Sequence, residues 1–134
     1  MPADGGAAQQ VTHGAAGADA FESPDGRELY YSSSKGLWAL PLAGGEPRLV
    51  LPDVTASRYA LAGRSIYYTT VNPSAVWVYR LDSGRQFEYV RFPSGTPPIY
   101  TAGTNITVSA DERVIMLPLV ERRESDLTLV ENFR

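Results

Sequence analysis

The chain has 134 residues, enough for one domain with a buried core. Its 12 Lys and Arg against 15 Asp and Glu leave a formal charge of -3, with no basic surface to neutralise phosphates, so this segment is not expected to contact nucleic acid directly. Cysteine is absent, which excludes disulfides, thiolate metal sites and a cysteine nucleophile, and fits a reducing compartment.

From Met1 to Ala20 the residues are small and polar, with no basic start and no apolar core, so no secretory signal is read. The longest apolar run, Val114 to Val120, is seven residues including Pro118, too short for a membrane span. As written the chain is expected in the cytoplasm, or in the periplasm if a span lies upstream in a parent protein. The sequon Asn105-Ile106-Thr107 is taken as a chance occurrence without an export signal.

In chain order, Pro2-Ala3-Asp4-Gly5-Gly6 matches Pro41-Leu42-Ala43-Gly44-Gly45 at an offset of 39. It predicts the tail of one strand, a Gly-Gly turn and an outer strand over Ala8–Thr12, so that residues 1–12 end a preceding unit. Ten Pro and twelve Gly interrupt any helical period, and the runs between them, rich in Tyr, Val, Leu and Trp, read as strands. A first unit, residues 18–52, is predicted to hold strands Ala18–Glu22, Glu28–Ser32, Gly36–Leu42 and Pro47–Leu51. A second, residues 57–93, holds Ser57–Leu61, Ser65–Thr70, Ala75–Leu81 and Gln86–Phe92. A third, incomplete unit at 104–134 holds Asn105–Ser109, Val114–Val120 and Asp126–Glu131. Pro24-Asp25-Gly26, Gly44-Gly45 and Asp82-Ser83-Gly84 supply hairpin turns.

These units repeat. Ser23-Pro24-Asp25-Gly26, Leu29-Tyr30-Tyr31, Leu37-Trp38 and Gly44-Gly45 are followed by Gly63, Ile66-Tyr67-Tyr68, Val76-Trp77 and Ser83-Gly84. Tyr30 and Tyr67 are 37 residues apart, Trp38 and Trp77 39 apart. The third copy reads Ser109-Ala110-Asp111-Glu112, Ile115-Met116-Leu117 and Leu127-Thr128-Leu129. A period of about 40 residues built from short strands points to propeller blades. In the third strand Trp38, Leu40 and Leu42 share one face and Leu37, Ala39 and Pro41 the other, as a strand between two sheets requires. The expected fold is all-β, a partial β-propeller of about three four-stranded antiparallel blades. Three blades do not close a ring. The chain is therefore expected to be part of a longer propeller, or to pair as a homodimer in which each Ala8–Thr12 completes the partner's last blade.

Ser-Pro-Asp-Gly, the apolar-Tyr-Tyr strand, Leu-Trp-x-x-Pro and Gly-Gly together resemble the TolB-like, WD-repeat-like β-propeller family, over nearly the whole chain. Ser125-Asp126-Leu127-Thr128-Leu129-Val130-Glu131-Asn132-Phe133-Arg134 is similar to the C-terminus of bacterial regulators, many acidobacterial, that join a winged-helix domain to a propeller. The resemblance implies a non-catalytic sensory or interaction module for protein or small-ligand binding. The alternative it carries is the regulatory propeller of a prolyl-oligopeptidase-like hydrolase without its catalytic domain. Neither a winged helix nor a kinase glycine loop is found here. The second copy reads Leu61-Ala62-Gly63 in place of Pro-Asp-Gly and the third Ala110-Asp111-Glu112, so both are expected to have less regular turns.

No catalytic constellation is read. His13, the single histidine, lies in a predicted connection, and one His without Cys makes no zinc site; no cofactor motif is present. Asp25, Asp111 and Glu112 fall in matching turns of different units, so they are read as repeats of a structural device rather than an acid–base pair, and Asp25 is expected to accept turn N–H groups. Glu121-Arg122-Arg123-Glu124 reads as a solvated hairpin tip. Tyr30, Tyr31, Trp38, Tyr67, Tyr68 and Trp77 are assigned to packing between units. Tyr59, Tyr79, Tyr89 and Tyr100 remain open as ligand contacts, and no binding residue is singled out among them.

Overall fold

In the computed structural model, which describes Gly5 and residues 19–54, 58–94 and 106–119, the described residues form two four-stranded antiparallel sheets and one two-stranded sheet. The first sheet is β1 (Ala20–Glu22), β2 (Glu28–Ser33), β3 (Gly36–Pro41) and β4 (Arg48–Pro52), in that order. The second is β5 (Tyr59–Ala62), β6 (Ser65–Thr70), β7 (Ala75–Arg80) and β8 (Gln86–Arg91), again in chain order. The third pairs β9 (Thr107–Val108) with β10 (Ile115–Met116). No helix occurs among the described residues, so none is long and apolar enough to cross a membrane. The strands predicted at 8–12 and 126–131, and His13, Tyr100 and Glu121–Glu124, lie outside the described residues.

Register makes the repeat explicit. Tyr31 faces Trp38 across β2 and β3, and Tyr68 faces Trp77 across β6 and β7. In each sheet the pairing with the outermost strand shifts immediately before the tryptophan, between Leu37 and Trp38 and between Val76 and Trp77. A bulge bends its strand and raises local twist, so both outer edges curve at the same place. Spacings of 37 and 39 residues have one cause. Six residues separate paired Glu22 and Leu29, but only four separate Leu61 and Ile66. The next hairpin compensates: two residues lie between paired Ser33 and Gly36, four between Thr70 and Ala75. A loop shortened by two is followed by one lengthened by two, which leaves the strands in step.

The sheets stack face to face, and the same positions meet each time. From the first sheet, Tyr30, Leu37, Ala39 and Leu51 enter a core with Tyr59, Leu61, Ile66, Tyr68, Trp77 and Tyr79 of the second. From the second sheet's opposite face, Ala60, Ala62, Tyr67, Val76 and Val78 meet Ile106, Val108, Ile115 and Leu117. By register Ile106, Val108, Ile115 and Leu117 stand where Tyr59, Leu61, Ile66 and Tyr68 stand one unit earlier. Leu37, Ile66 and Val76 are fully buried at these contacts. Each such side chain contributes about 1.5–3 kcal/mol by leaving water. Both faces of the second sheet are thereby covered, which explains why its strands are apolar on both sides.

The described strands of the third unit, Thr107–Val108 and Ile115–Met116, fall within the predicted Asn105–Ser109 and Val114–Val120, of which Asn105 and Val120 lie outside the described residues. One expectation about this unit is corrected. Its turn is not irregular; it repeats the first turn bond for bond. In both, a serine N–H closes the turn onto a carbonyl five residues on, at 2.8 Å for Ser23 and 2.9 Å for Ser109. In both, the serine hydroxyl donates to the aspartate two residues on, at 2.7 Å for Ser23–Asp25 and 2.6 Å for Ser109–Asp111.

Candidate binding site

The hairpins β1–β2, β3–β4, β5–β6 and β7–β8 place the charged side chains at one rim of the stack, where two successive gaps between sheets can be compared. The second gap is closed. Glu112, at the end of the third unit's turn, has φ 58, the left-handed conformation that Gly26 adopts at φ 68 in the first turn. That backbone points its carboxylate across to the second sheet. There it accepts from the Arg64 N–H at 3.0 Å, the Tyr67 hydroxyl at 3.0 Å and the Ser65 hydroxyl at 3.3 Å, and pairs with the Arg80 guanidinium at 3.3 Å. Arg80 also donates to Ser65 at 2.9 Å. Asp25 and Asp111 bond within their own turns, whereas Glu112 bonds to the neighbouring sheet. Asp111 alone serves the turn.

The first gap is open. A cleft of about 400 Å³ is lined by Ser23, Pro24, Asp25, Glu28, Tyr30 and Arg48 from the first sheet and by Arg64, Leu81 and Asp82 from the second. The unit that supplies Glu112 to the second gap has a counterpart here that ends in Gly63, with no side chain to reach across. Glu28 serves Tyr30 from within its own sheet: the Tyr30 hydroxyl donates to its Oε2 at 2.8 Å, and Arg48 Nη2 reaches both oxygens at 2.8 and 2.9 Å. Burial, and then the Glu28 bond, pushes the Tyr30 hydroxyl up to about 12. Tyr67, on Glu112, is pushed up to about 12 for the same two reasons. The Ser23 hydroxyl, then the Arg27 N–H, holds the Asp25 carboxyl below its ordinary value of 3.8. At neutral pH Tyr30 is neutral and Asp25 charged, so neither is poised to exchange a proton.

Among the other tyrosines, Tyr59 is a core residue, 3% exposed, whose hydroxyl donates to the Asp19 carbonyl at 2.7 Å and whose ring meets Phe21 edge-on at 5.4 Å. Tyr79 packs into the first inter-sheet core, and Tyr89 is 55% exposed beside Tyr67. None of them lines the cleft. Glu28, Tyr30, Arg48, Arg64 and Asp82 were not singled out from sequence as a group, because they come from separate strands and turns. Their one sequence signal is Gly63, the shortened turn that leaves the first gap without a bridging side chain. No three His, Cys, Asp or Glu side chains come together as a metal-binding group among the described residues. No protein-family model matches the chain, and no curated protein matches it in sequence.

Proposed function

We propose that this chain is part of a TolB-like β-propeller acting as a non-catalytic binding module, the sensory or interaction part of a bacterial transcriptional regulator or signalling protein. The observation that carries the reading is the reuse of equivalent positions in both inter-sheet contacts, with the bulge before the tryptophan in both four-stranded sheets. Blades arranged around a ring bury their faces in this way. A stack of sheets with short loops at one rim is a scaffold that can present binding residues. The open cleft fits that role, because Tyr30 stays neutral and Asp25 charged at neutral pH. In a ring, further blades would continue the stack on the first sheet's outer face, where Leu29, Tyr31 and Trp38 remain half-buried.

A thermal-shift screen of the intact chain against metabolites and short peptides tests the reading. A saturable rise in Tm, with the hit recovered chemically unchanged, is expected. Conversion of the hit into a product, or no hit in any class, overturns it.

A further inference from the structure

We infer that the open cleft between the first two sheets takes a small zwitterion of the amino-acid class, its carboxylate on Arg64 and its ammonium on Asp82. This rests on the binding-module reading and goes further by naming the site and the ligand chemistry. Five charged side chains line the cleft: Asp25, Glu28, Arg48, Arg64 and Asp82. Glu28 and Arg48 are committed to each other and to Tyr30. Asp25 is committed to the Ser23 hydroxyl and the Arg27 N–H. Two remain, of opposite sign, on the same wall. The Arg64 guanidinium has no hydrogen-bond or ion-pair partner among the described residues, its backbone N–H alone being taken by Glu112. Asp82 meets Arg80 only at 3.9 Å, and that guanidinium lies nearer Glu112, at 3.3 Å.

The two are adjacent without pairing: the Leu81 N–H donates to the Arg64 carbonyl at 2.9 Å, which sets Asp82 beside Arg64 along the rim. A bare anion entering here would meet Asp25, Glu28 and Asp82; a bare cation would meet Arg48 and Arg64. A ligand with one charge of each sign satisfies both leftover groups and leaves the cleft's balance unchanged. The Pro24, Tyr30 and Leu81 side chains supply apolar surface for its carbon stem. At about 400 Å³ the cleft lies within the range of small-molecule sites. The neighbouring gap shows the rim's chemistry at work, since there a carboxylate of the chain itself, Glu112, is held by an N–H, two hydroxyls and an arginine. Arg64 and Asp82 are both solvent-exposed, so each contact is weak and a Kd of about 1 mM is expected.

The test is an NMR titration of the intact chain, following the arginine side-chain Nε–H signals and the Asp82 amide, at constant ionic strength. Leucine and 6-aminohexanoate are the zwitterionic probes; acetate and inorganic phosphate are the controls. Saturable shifts at Arg64 and Asp82 are expected with a zwitterion, at least about tenfold tighter than with either control. Leucine ahead of 6-aminohexanoate, or the reverse, supports the inference and gives the charge spacing. Both Arg64→Gln and Asp82→Asn, exposed changes that leave the core untouched, should weaken binding about tenfold or more. Shifts that grow linearly without saturating, acetate binding as tightly as the zwitterions, or full binding by either variant overturns the inference. A thermal-shift hit that leaves Arg64 and Asp82 unmoved would overturn it while sparing the binding-module reading.

Discussion

Glu112 occupies a left-handed position that costs a residue with a Cβ about 1–2 kcal/mol. The bonds its carboxylate makes to Arg64, Ser65, Tyr67 and Arg80 offset that cost. They are possible only because Gly63 lacks a side chain: a Cβ built there, at φ +51, would land on the Glu112 carboxylate. Gly63→Ala is therefore expected to lose about 2–4 kcal/mol, part from the backbone and part from displacing the carboxylate. Gly84→Ala, at φ +66 with only the Tyr79 hydroxyl at 3.6 Å, should lose the backbone part alone, about 1–2 kcal/mol. Urea denaturation of both in wild-type and Glu112→Ala backgrounds separates the two parts. Without Glu112, the Gly63 substitution should cost no more than the Gly84 one; an unchanged cost would show that the two residues are not coupled. Burial, and then the carboxylates, act on the tyrosines too. Folding raises Tyr30 and Tyr67 from an ordinary 10.0 to about 12. A folded value above the unfolded one means that their contribution is complete below pH 10 and is lost as pH rises toward 12. Circular dichroism and tyrosine absorbance followed together should show ionisation coinciding with unfolding in that window. Ionisation of all tyrosines near 10 with the sheets intact would contradict it.

The turns carry matching bonds in different surroundings. The Ser23 hydroxyl accepts from the Arg27 and Glu28 N–H groups at 3.1 and 2.9 Å, the Ser109 hydroxyl from Arg113 and Val114 at 3.2 and 3.0 Å. Ser23 is 7% exposed, whereas the bonds of Ser109 lie at the surface. Donors released near Ser23 stay away from water, so Ser23→Ala is expected to cost about 1–2 kcal/mol; Ser109→Ala should cost about half as much, since water replaces the hydroxyl. Thermal unfolding of the two variants checks the order, and an equal loss would remove burial as its cause. At this scale much was legible. Tyr-Tyr, Leu-Trp and Val-Trp marked the inner and third strands, because a β-strand buried on both faces needs large apolar residues at successive positions. The mismatch of 37 and 39 residues already contained the exchange of loop lengths. What could not be read was the direction of Glu112. Sequence likeness groups it with Asp25 and Asp111, and only its backbone conformation and the bare Gly63 opposite send its carboxylate to another sheet. The cleft was hidden for a related reason: its residues, from Ser23 to Asp82, become neighbours only when the sheets stack.

Stacking also sets how the molecule comes apart. Each sheet buries its faces only against the next, so stability is a sum of the units' own terms and nearest-neighbour contacts. The two inter-sheet contacts differ in make-up. Among the described residues, four strands meet four at the first, whereas the second joins four strands to two strands of two residues each, with Glu112 bridging them. Leu37 and Val76 hold equivalent positions and are both fully buried, but Leu37 belongs to the first contact and Val76 to the second. Truncating either leaves a cavity that costs about 2–4 kcal/mol. The location of the damage should differ. In Leu37→Ala the damaged interface joins the two four-stranded sheets, and amide exchange is expected to accelerate in both of them together. In Val76→Ala the third unit should open first: the amides of residues 106–117 would exchange faster, by a factor of ten or more for each roughly 1.4 kcal/mol lost, while those of β2 and β3 keep their wild-type rates. Hydrogen-exchange mass spectrometry resolves these segments. Uniform acceleration along the whole chain in Val76→Ala would mean that the three sheets open as a single unit, and that the contacts between them are not separable.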